Sequence, residues 1–115
     1  MLVSVYVTAA SMEQAERVAR HVLGLRLAAC ANAFPVTSWY WWQGSVEQAG
    51  EVALILKTRA ELVGRLAQEV RSVHTYDLPC VVAWPIADGD PAYLAWVAQE
   101  TDSARAGAAA AFREG

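Results

Sequence analysis

A chain of 115 residues has room for one domain built around one hydrophobic core. Its residues are 56% hydrophobic and only 18% charged, which excludes a disordered chain and, in so small a domain, predicts apolar surface that faces another chain. The net charge is −3 and the basic residues form no cluster, so nucleic acid and anionic membranes are poor candidate partners.

The start of the chain is typical of a strand rather than of a targeting segment. Residues 2–7 form a short apolar run, as in strands that are buried on most of their surface. The run lacks the positively charged start of a signal peptide, and no apolar run approaches the ~20 residues of a membrane span. The two cysteines, Cys30 and Cys80, lie in no CxxC or Cys/His cluster. We therefore expect a reducing cytoplasm, free thiols and no structural zinc site.

An amphipathic helix and a second strand follow. The apolar residues on the buried face of this helix are Met12, Ala15, Val18, Ala19 and Val22. Ser11 is placed to cap the first turn. The second strand is predicted over roughly residues 28–36.

The middle of the chain predicts a long hairpin. Residues 37–44 are rich in Trp and Tyr, which favour strands, and Gly44 allows a turn. The return strand would extend from about Val46 to Lys57, with Gly50 indicating a bulge or a close backbone approach. Arms of this length must project past the helices, where the aromatic rings need a cover. We expect a partner chain to provide it; the alternative is that the rings cover the back face of their own domain.

The second half repeats the order of the first at a spacing of 50 residues, which makes Cys80 the equivalent of Cys30. A strand at residues 52–56 precedes a helix, and a last strand covers roughly residues 79–86. The apolar stripe of this helix is Leu62, Leu66, Val70 and Val73. Two β-α-β units in tandem predict a ferredoxin-like α+β fold, βαββαβ, with a four-stranded antiparallel sheet and both helices on one face.

A C-terminal helix completes the predicted domain. Asp90 is placed to cap it, Pro91 suits its first position, and residues 92–100 form its body. We therefore assign residues 1–103 to the domain. The Ala-rich residues 104–115 form a separate tail, which either extends the helix or frays.

Several motifs in this chain together resemble the CutA family, the divalent-cation tolerance proteins. They are residues 26–32 (RLAACAN), 38–47 (SWYWWQGSVE) with Glu51, 56–58 (LKT), 74–79 (HTYDLP), 85–86 (PI) with Gly89, and 93–96 (YLAW). They occur in order over residues 2 to about 99. The resemblance implies a homotrimer similar to PII-type signalling proteins, a link to copper and other divalent cations, and no required cofactor.

The resemblance also selects metal candidates. Cys30 lies in the family's own motif, and thiolates from two chains can bind Cu(I). The family usually has Glu after the proline of HTYDLP, whereas this chain has Cys80, so a site that uses this position would favour soft ions. For both cysteines the alternative is a buried strand residue. His74 is the third candidate, with proton transfer or stabilisation of a helix C-terminus as its alternative roles.

The family motifs also contain residues that this chain shares with the family, and we expect several of them to line clefts between subunits. They are Tyr40, Trp42, Glu47, Glu51, Lys57, Tyr76, Tyr93 and Trp96. Glu47 and Glu51 can bind a cation or act as acid and base if Gly50 leaves both on one strand face. The alternative is a solubilising or subunit-facing charge pair. Lys57, the only lysine, can bind an anion or pair with a carboxylate across chains, or it simply emerges where the strand ends.

Three functions follow in order of preference. The first is a trimeric protein that binds copper or other metal ions and acts in the response to them. The second is a PII-like trimeric signalling or scaffold protein that binds a small ligand or a partner protein in its inter-subunit clefts, although the chain has no Gly-rich phosphate loop. An enzyme ranks last, because the sequence offers an acid and a base but no oriented nucleophile and no cofactor motif.

Overall fold

The computed structural model describes residues 1–102, so the predicted tail lies outside the described residues. The strands are β1 (Leu2–Ala9), β2 (Cys30–Trp42), β3 (Ser45–Arg59) and β4 (Val81–Pro85). The helices are α1 (Met12–Gly24), α2 (Val63–Val73) and α3 (Pro91–Glu100). Within this described part of the chain, no helix is both long and apolar enough to cross a membrane.

The sheet has the order β2-β3-β1-β4, and all neighbouring strands are antiparallel. Val5 and Val7 of β1, together with Leu54 and Leu56 of β3, form the sheet side of the hydrophobic core. The helices complete this core with Ala15, Val18 and Val22 from α1 and with Leu66 and Val70 from α2. Both crossover helices therefore cover one face, which confirms the predicted ferredoxin-like α+β fold.

The helices begin where their capping residues place them. The Ser11 side chain accepts a hydrogen bond from the N–H of Gln14 at 3.1 Å, before the first turn of α1. The Asp90 side chain accepts from the N–H of Tyr93 at 3.0 Å, and Pro91 is the first residue of α3. α2 begins later than its apolar stripe predicts, because Ala60–Leu62 forms a 3-10 turn before it.

The β2–β3 hairpin extends well beyond the rest of the sheet, as predicted. β1 ends with Ala9 opposite Val52, whereas β2 and β3 stay paired until Trp42 faces Ser45, so the tip projects roughly 20 Å further. The turn consists of Gln43 and Gly44, with φ values of 49° and 84°. Two consecutive residues with positive φ match the right-handed twist of the two arms.

The predicted bulge or close approach at Gly50 is wrong. Gly50 pairs regularly with Thr37, and a Cβ atom at Gly50 would meet no atom of the described residues within 4 Å. Because the pairing is uninterrupted, Glu47 and Glu51 do lie on the same face of β3.

The second face of the sheet is only partly covered. α3 lies against one end of it, where Arg59 Nη2 donates to the carbonyl of Ala98 at 2.6 Å. The ammonium of Lys57 is 5.8 Å from the ring centroid of Tyr93 on the same helix. The other end of this face, towards the hairpin, carries the candidate site.

Candidate functional site

A cleft of about 640 Å³ opens between the projecting hairpin and the segment that joins α2 to β4. The hairpin contributes Ser38, Tyr40, Trp41, Trp42 and Glu51 to its lining. Residues 75–78 and Cys80 form the opposite wall, and Tyr6 and Thr8 of β1 form the base. The cleft therefore combines aromatic surface with a few polar side chains, as small-molecule sites do.

Glu51, Tyr76 and His74 form a hydrogen-bonded chain at this cleft. The Tyr76 hydroxyl donates to Glu51 Oε2 at 2.7 Å. The backbone N–H of Tyr76 donates to His74 Nδ1 at 3.0 Å, and His74 Nε2 donates to the carbonyl of Thr8 at 2.8 Å. Since Nδ1 accepts, His74 is in its Nε2–H tautomer. Both ring nitrogens are thus engaged in holding the segment after α2 against β1.

The local backbone explains how this segment reaches the cleft. α2 ends because His74 adopts an extended conformation, with φ −82° and ψ 147°. Its N–H still donates to the carbonyl of Val70 at 2.9 Å, so the ring is held at the helix end. The rings of His74 and Tyr76 then pack with their centroids 4.7 Å apart, which directs the phenol towards Glu51.

The cleft disfavours additional negative charge. Burial raises the pKa of the Tyr76 hydroxyl, and the hydrogen bond to Glu51 and the charge of that carboxylate raise it further. Burial also raises the pKa of the Cys80 thiol, with the charge of Glu51 as the second cause. Both groups are therefore protonated at neutral pH.

A second polar cluster lies at the other end of the same face, beside α3. Lys57 Nζ donates to Asn32 Oδ1 at 3.0 Å, and the Cys30 thiol lies 3.7 Å from the same oxygen. The ring of Tyr93, beside Lys57, packs on that of Trp96 with the centroids 5.6 Å apart. Cys30, Lys57, Tyr93 and Trp96 therefore share this cluster rather than the cleft.

The three metal candidates do not come together within one protomer. Cys30 is on the outer strand β2, where it pairs with Lys57 of β3. Cys80 lies at the opposite edge of the sheet, directly before Val81 of β4, which pairs with Val7 of β1. Strand spacing and rise separate the two cysteines by roughly 20 Å. Among residues 1–102, no three His, Cys, Asp or Glu side chains group in a way that could hold a metal ion.

Of the eight residues that the family motifs define as a shared set, four line this cleft within one protomer: Tyr40, Trp42, Glu51 and Tyr76. Cys80, which the sequence analysis assigns to metal binding, lines it as well. Glu47 shares the strand face of Glu51 but pairs with Tyr40 nearer the hairpin tip, outside the lining.

Sequence reasoning missed other residues of the cleft, among them Tyr6, Thr8 and Asp77. Tyr6 and Thr8 alternate with Val5 and Val7 in β1 and so point to the other face of the sheet. The alternation of side chains in β1 could therefore have predicted that both residues face the second side of the sheet. Asp77 lies within the HTYDLP motif, but nothing in the spacing of the motif singles it out.

Comparison with known proteins gives a consistent result. The family described as CutA1 divalent ion tolerance protein matches residues 3–100. The divalent-cation tolerance protein CutA of Archaeoglobus fulgidus is 45% identical over 93 residues, which cover 81% of this chain and 91% of that protein. The mouse protein CutA is 44% identical over 99 residues, or 85% of this chain, which spans only 56% of the mouse protein.

Solved structures agree with this similarity. A structure described as the periplasmic divalent cation tolerance protein CutA from Archaeoglobus fulgidus superposes with a TM-score of 0.87 at 42% identity, covering 89% of this chain and 100% of that one. CutA1 from Oryza sativa superposes with a TM-score of 0.85 at 40% identity, covering 89% of this chain and 94% of that one.

Proposed function

The chain belongs to the CutA1 divalent ion tolerance protein family, and on this basis we propose that it acts in tolerance of divalent cations as a homotrimer. The observation that carries the assembly is the projecting hairpin. Trp39, Trp41 and Val46 share one of its faces, and they are 65%, 75% and 58% exposed. Such an apolar patch on an extended two-stranded arm favours a second copy of the chain as its cover. The subunit number is the one that the family resemblance implies.

We further propose that copper binding uses thiols from different protomers. Cys30 and Cys80 are free thiols, and each is partly accessible. Because they are far apart in one protomer, a shared ion requires sulfur atoms from two chains. Thiolates favour Cu(I), and binding at Cys80 would release the thiol proton. His74 contributes only if it gives up its bond to the Tyr76 N–H or to Thr8, so we expect its role to be smaller.

Native mass spectrometry of the reduced protein, with and without Cu(I), tests both proposals at once. We expect a trimer that takes up a fixed whole number of copper ions. The Cys30→Ser, Cys80→Ser double variant should remain a trimer and lose that uptake. A monomer would contradict the assembly. A graded spread of copper that the double variant retains would contradict specific binding by the thiols.

A second candidate function is a PII-like trimer that responds to a small ligand or a partner protein. The cleft favours it, because its aromatic walls suit an organic molecule better than a bare ion. A thermal-shift screen of small metabolites and nucleotides tests this function, since a ligand that binds only the folded state raises the unfolding temperature. A protein that no compound stabilises would count against it.

We propose a binding role rather than catalysis. The cleft brings a carboxylate to a tyrosine, but within residues 1–102 neither Ser38 nor Cys80 is hydrogen-bonded to a base that would activate it. We also propose a cytoplasmic location, which the free thiols favour, and cell fractionation tests it. Removal of residues 104–115 tests the proposed domain boundary, with an unchanged unfolding temperature as the expected result.

A further inference from the structure

We propose that the cleft binds a small organic cation, an alkylammonium group held against aromatic rings with Glu51 as its counter-ion. The inference rests on the second candidate function, ligand binding in the cleft. It does not depend on copper binding or on the number of subunits. It specifies the ligand chemistry, which the family assignment leaves open.

The aromatic rings supply the first half of the argument. Five of the residues that line the cleft are aromatic: Tyr6, Tyr40, Trp41, Trp42 and Tyr76. Trp41 shares the strand face of Val46, opposite that of Tyr40 and Trp42, so we assign the ring surface of the cleft to the other four. Aromatic faces carry partial negative charge and attract ammonium groups, most strongly when the rings are Trp or Tyr. A volume of about 640 Å³ is sufficient for a small organic molecule and much larger than a metal ion needs.

The charges supply the second half. Glu51 and Asp77 line the cleft, and the lining includes no Lys, Arg or His from the described residues. Glu51 Oε2 accepts the Tyr76 hydroxyl, whereas no donor within residues 1–102 is bonded to Oε1. This oxygen is therefore available to a ligand, and the bond from Tyr76 fixes the orientation of the carboxylate.

The pKa values of Tyr76 and Cys80 are consistent with a negative potential in the cleft. Burial is the first cause of the raised pKa values of Tyr76 and Cys80, and the charge of Glu51 raises both further. Burial disfavours a charge of either sign, so only the contribution of Glu51 to these shifts reflects a negative charge that attracts a cation. An anionic ligand such as a nucleotide phosphate would be repelled by the charge of Glu51.

An organic cation fits the cleft better than a metal ion does. Glu51, Asp77 and Cys80 all line the cleft, but among residues 1–102 no three His, Cys, Asp or Glu side chains group in a way that could hold a metal ion. Besides the neutral hydroxyls of Thr8, Ser38 and Thr75, the walls offer aromatic ring faces, which do not coordinate metals. The ring faces therefore favour a diffuse, weakly hydrated ammonium charge.

The test uses choline as the probe and 3,3-dimethylbutan-1-ol as its uncharged isostere, with titration of the intact oligomer by calorimetry. We expect choline to bind at least about tenfold more tightly than the alcohol, because the two differ only in charge. Glu51→Gln should weaken choline binding about tenfold while keeping an acceptor for Tyr76. The matched control Glu13→Gln, which makes the same charge change on α1, should leave binding unaltered.

A second variant keeps the test decisive if Glu51→Gln unfolds. Trp42 is 45% exposed, so Trp42→Leu should fold and still lose affinity for choline. Equal binding of choline and the alcohol, or binding that survives both variants, would overturn the proposal. Binding of Cu(I) or Zn²⁺ to the cleft, with no binding of choline, would overturn the proposal in favour of a metal site. The subunit number and the copper uptake of the same samples are measured separately. They test the proposed trimer and copper binding independently of choline binding.

Discussion

The phenolic oxygen of Tyr76 lies 2.7 Å from Oε2 of Glu51, and this contact joins the segment after α2 to strand β3 of the hairpin. The two residues are 25 positions apart in the sequence and belong to opposite walls of the cleft. Since His74 anchors the same segment to the Thr8 carbonyl on β1, the segment is held to two strands. The cleft thus has a wall that is fixed before any ligand arrives.

The first prediction removes the donor of that contact. Tyr76→Phe should lower the free energy of unfolding by about 1–2 kcal/mol, because a hydrogen bond to a partly buried carboxylate is lost and the carboxylate stays behind. Urea unfolding measures the change. Tyr93→Phe is the control, since the Tyr93 hydroxyl makes no hydrogen bond within residues 1–102, and it should change stability by far less. Equal effects of the two substitutions would show that the Glu51 contact contributes nothing.

The second prediction concerns the reactivity of Cys80 in a Cys30→Ser background. Burial and the charge of Glu51 raise the pKa of this thiol, and only the thiolate is alkylated. Its reaction with iodoacetamide should therefore be slow at neutral pH and rise only under alkaline conditions. Glu51→Gln removes the second cause, so the pH curve should move to lower pH and the rate at a fixed pH should increase. A curve that does not move would show that Glu51 does not act on Cys80.

The third prediction compares two buried threonines. Thr58 Oγ1 is buried and has no hydrogen-bond partner within residues 1–102, whereas the equally buried Thr101 hydroxyl donates to the Val97 carbonyl at 2.7 Å. Thr58→Val should raise the free energy of unfolding by about 1 kcal/mol, because an unsatisfied hydroxyl is replaced by a methyl group of similar size. Thr101→Val should lower it by a similar amount. Thermal and urea unfolding of both variants measure the two changes. A Thr58→Val variant that is less stable than Thr101→Val would contradict the prediction.

The fold follows from the sequence because its signals are local and repeated. Apolar runs, helical stripes and caps such as Ser11 and Asp90 determine each element by themselves, and two equivalent halves leave few ways to assemble them. The Gly50 prediction failed because a glycine in a strand indicates only what the backbone permits. Regular pairing with Thr37 prevails at that position.

The site follows from the sequence only in part, because it depends on which strands become neighbours. The repeat makes Cys30 and Cys80 equivalent in sequence, yet it also places them on β2 and β4, the two outer strands of the sheet. The contact of Tyr76 with Glu51 and that of His74 with Thr8 form between distant parts of the chain. No spacing along the chain encodes them.

The last prediction tests the hairpin as the contact between copies. Trp39→Lys places a charge on the face that Trp39 shares with Trp41 and Val46, so it should shift the protein from the proposed oligomer towards the monomer. Light scattering after size-exclusion chromatography measures the mass, and circular dichroism checks that the monomer is folded. Met12→Lys is the control, because Met12 is on α1 and not on the hairpin, and it is 51% exposed although the helical stripe predicts it to be buried. An unchanged mass in Trp39→Lys would assign the contact to another surface. A loss of mass in both variants would reflect added charge alone.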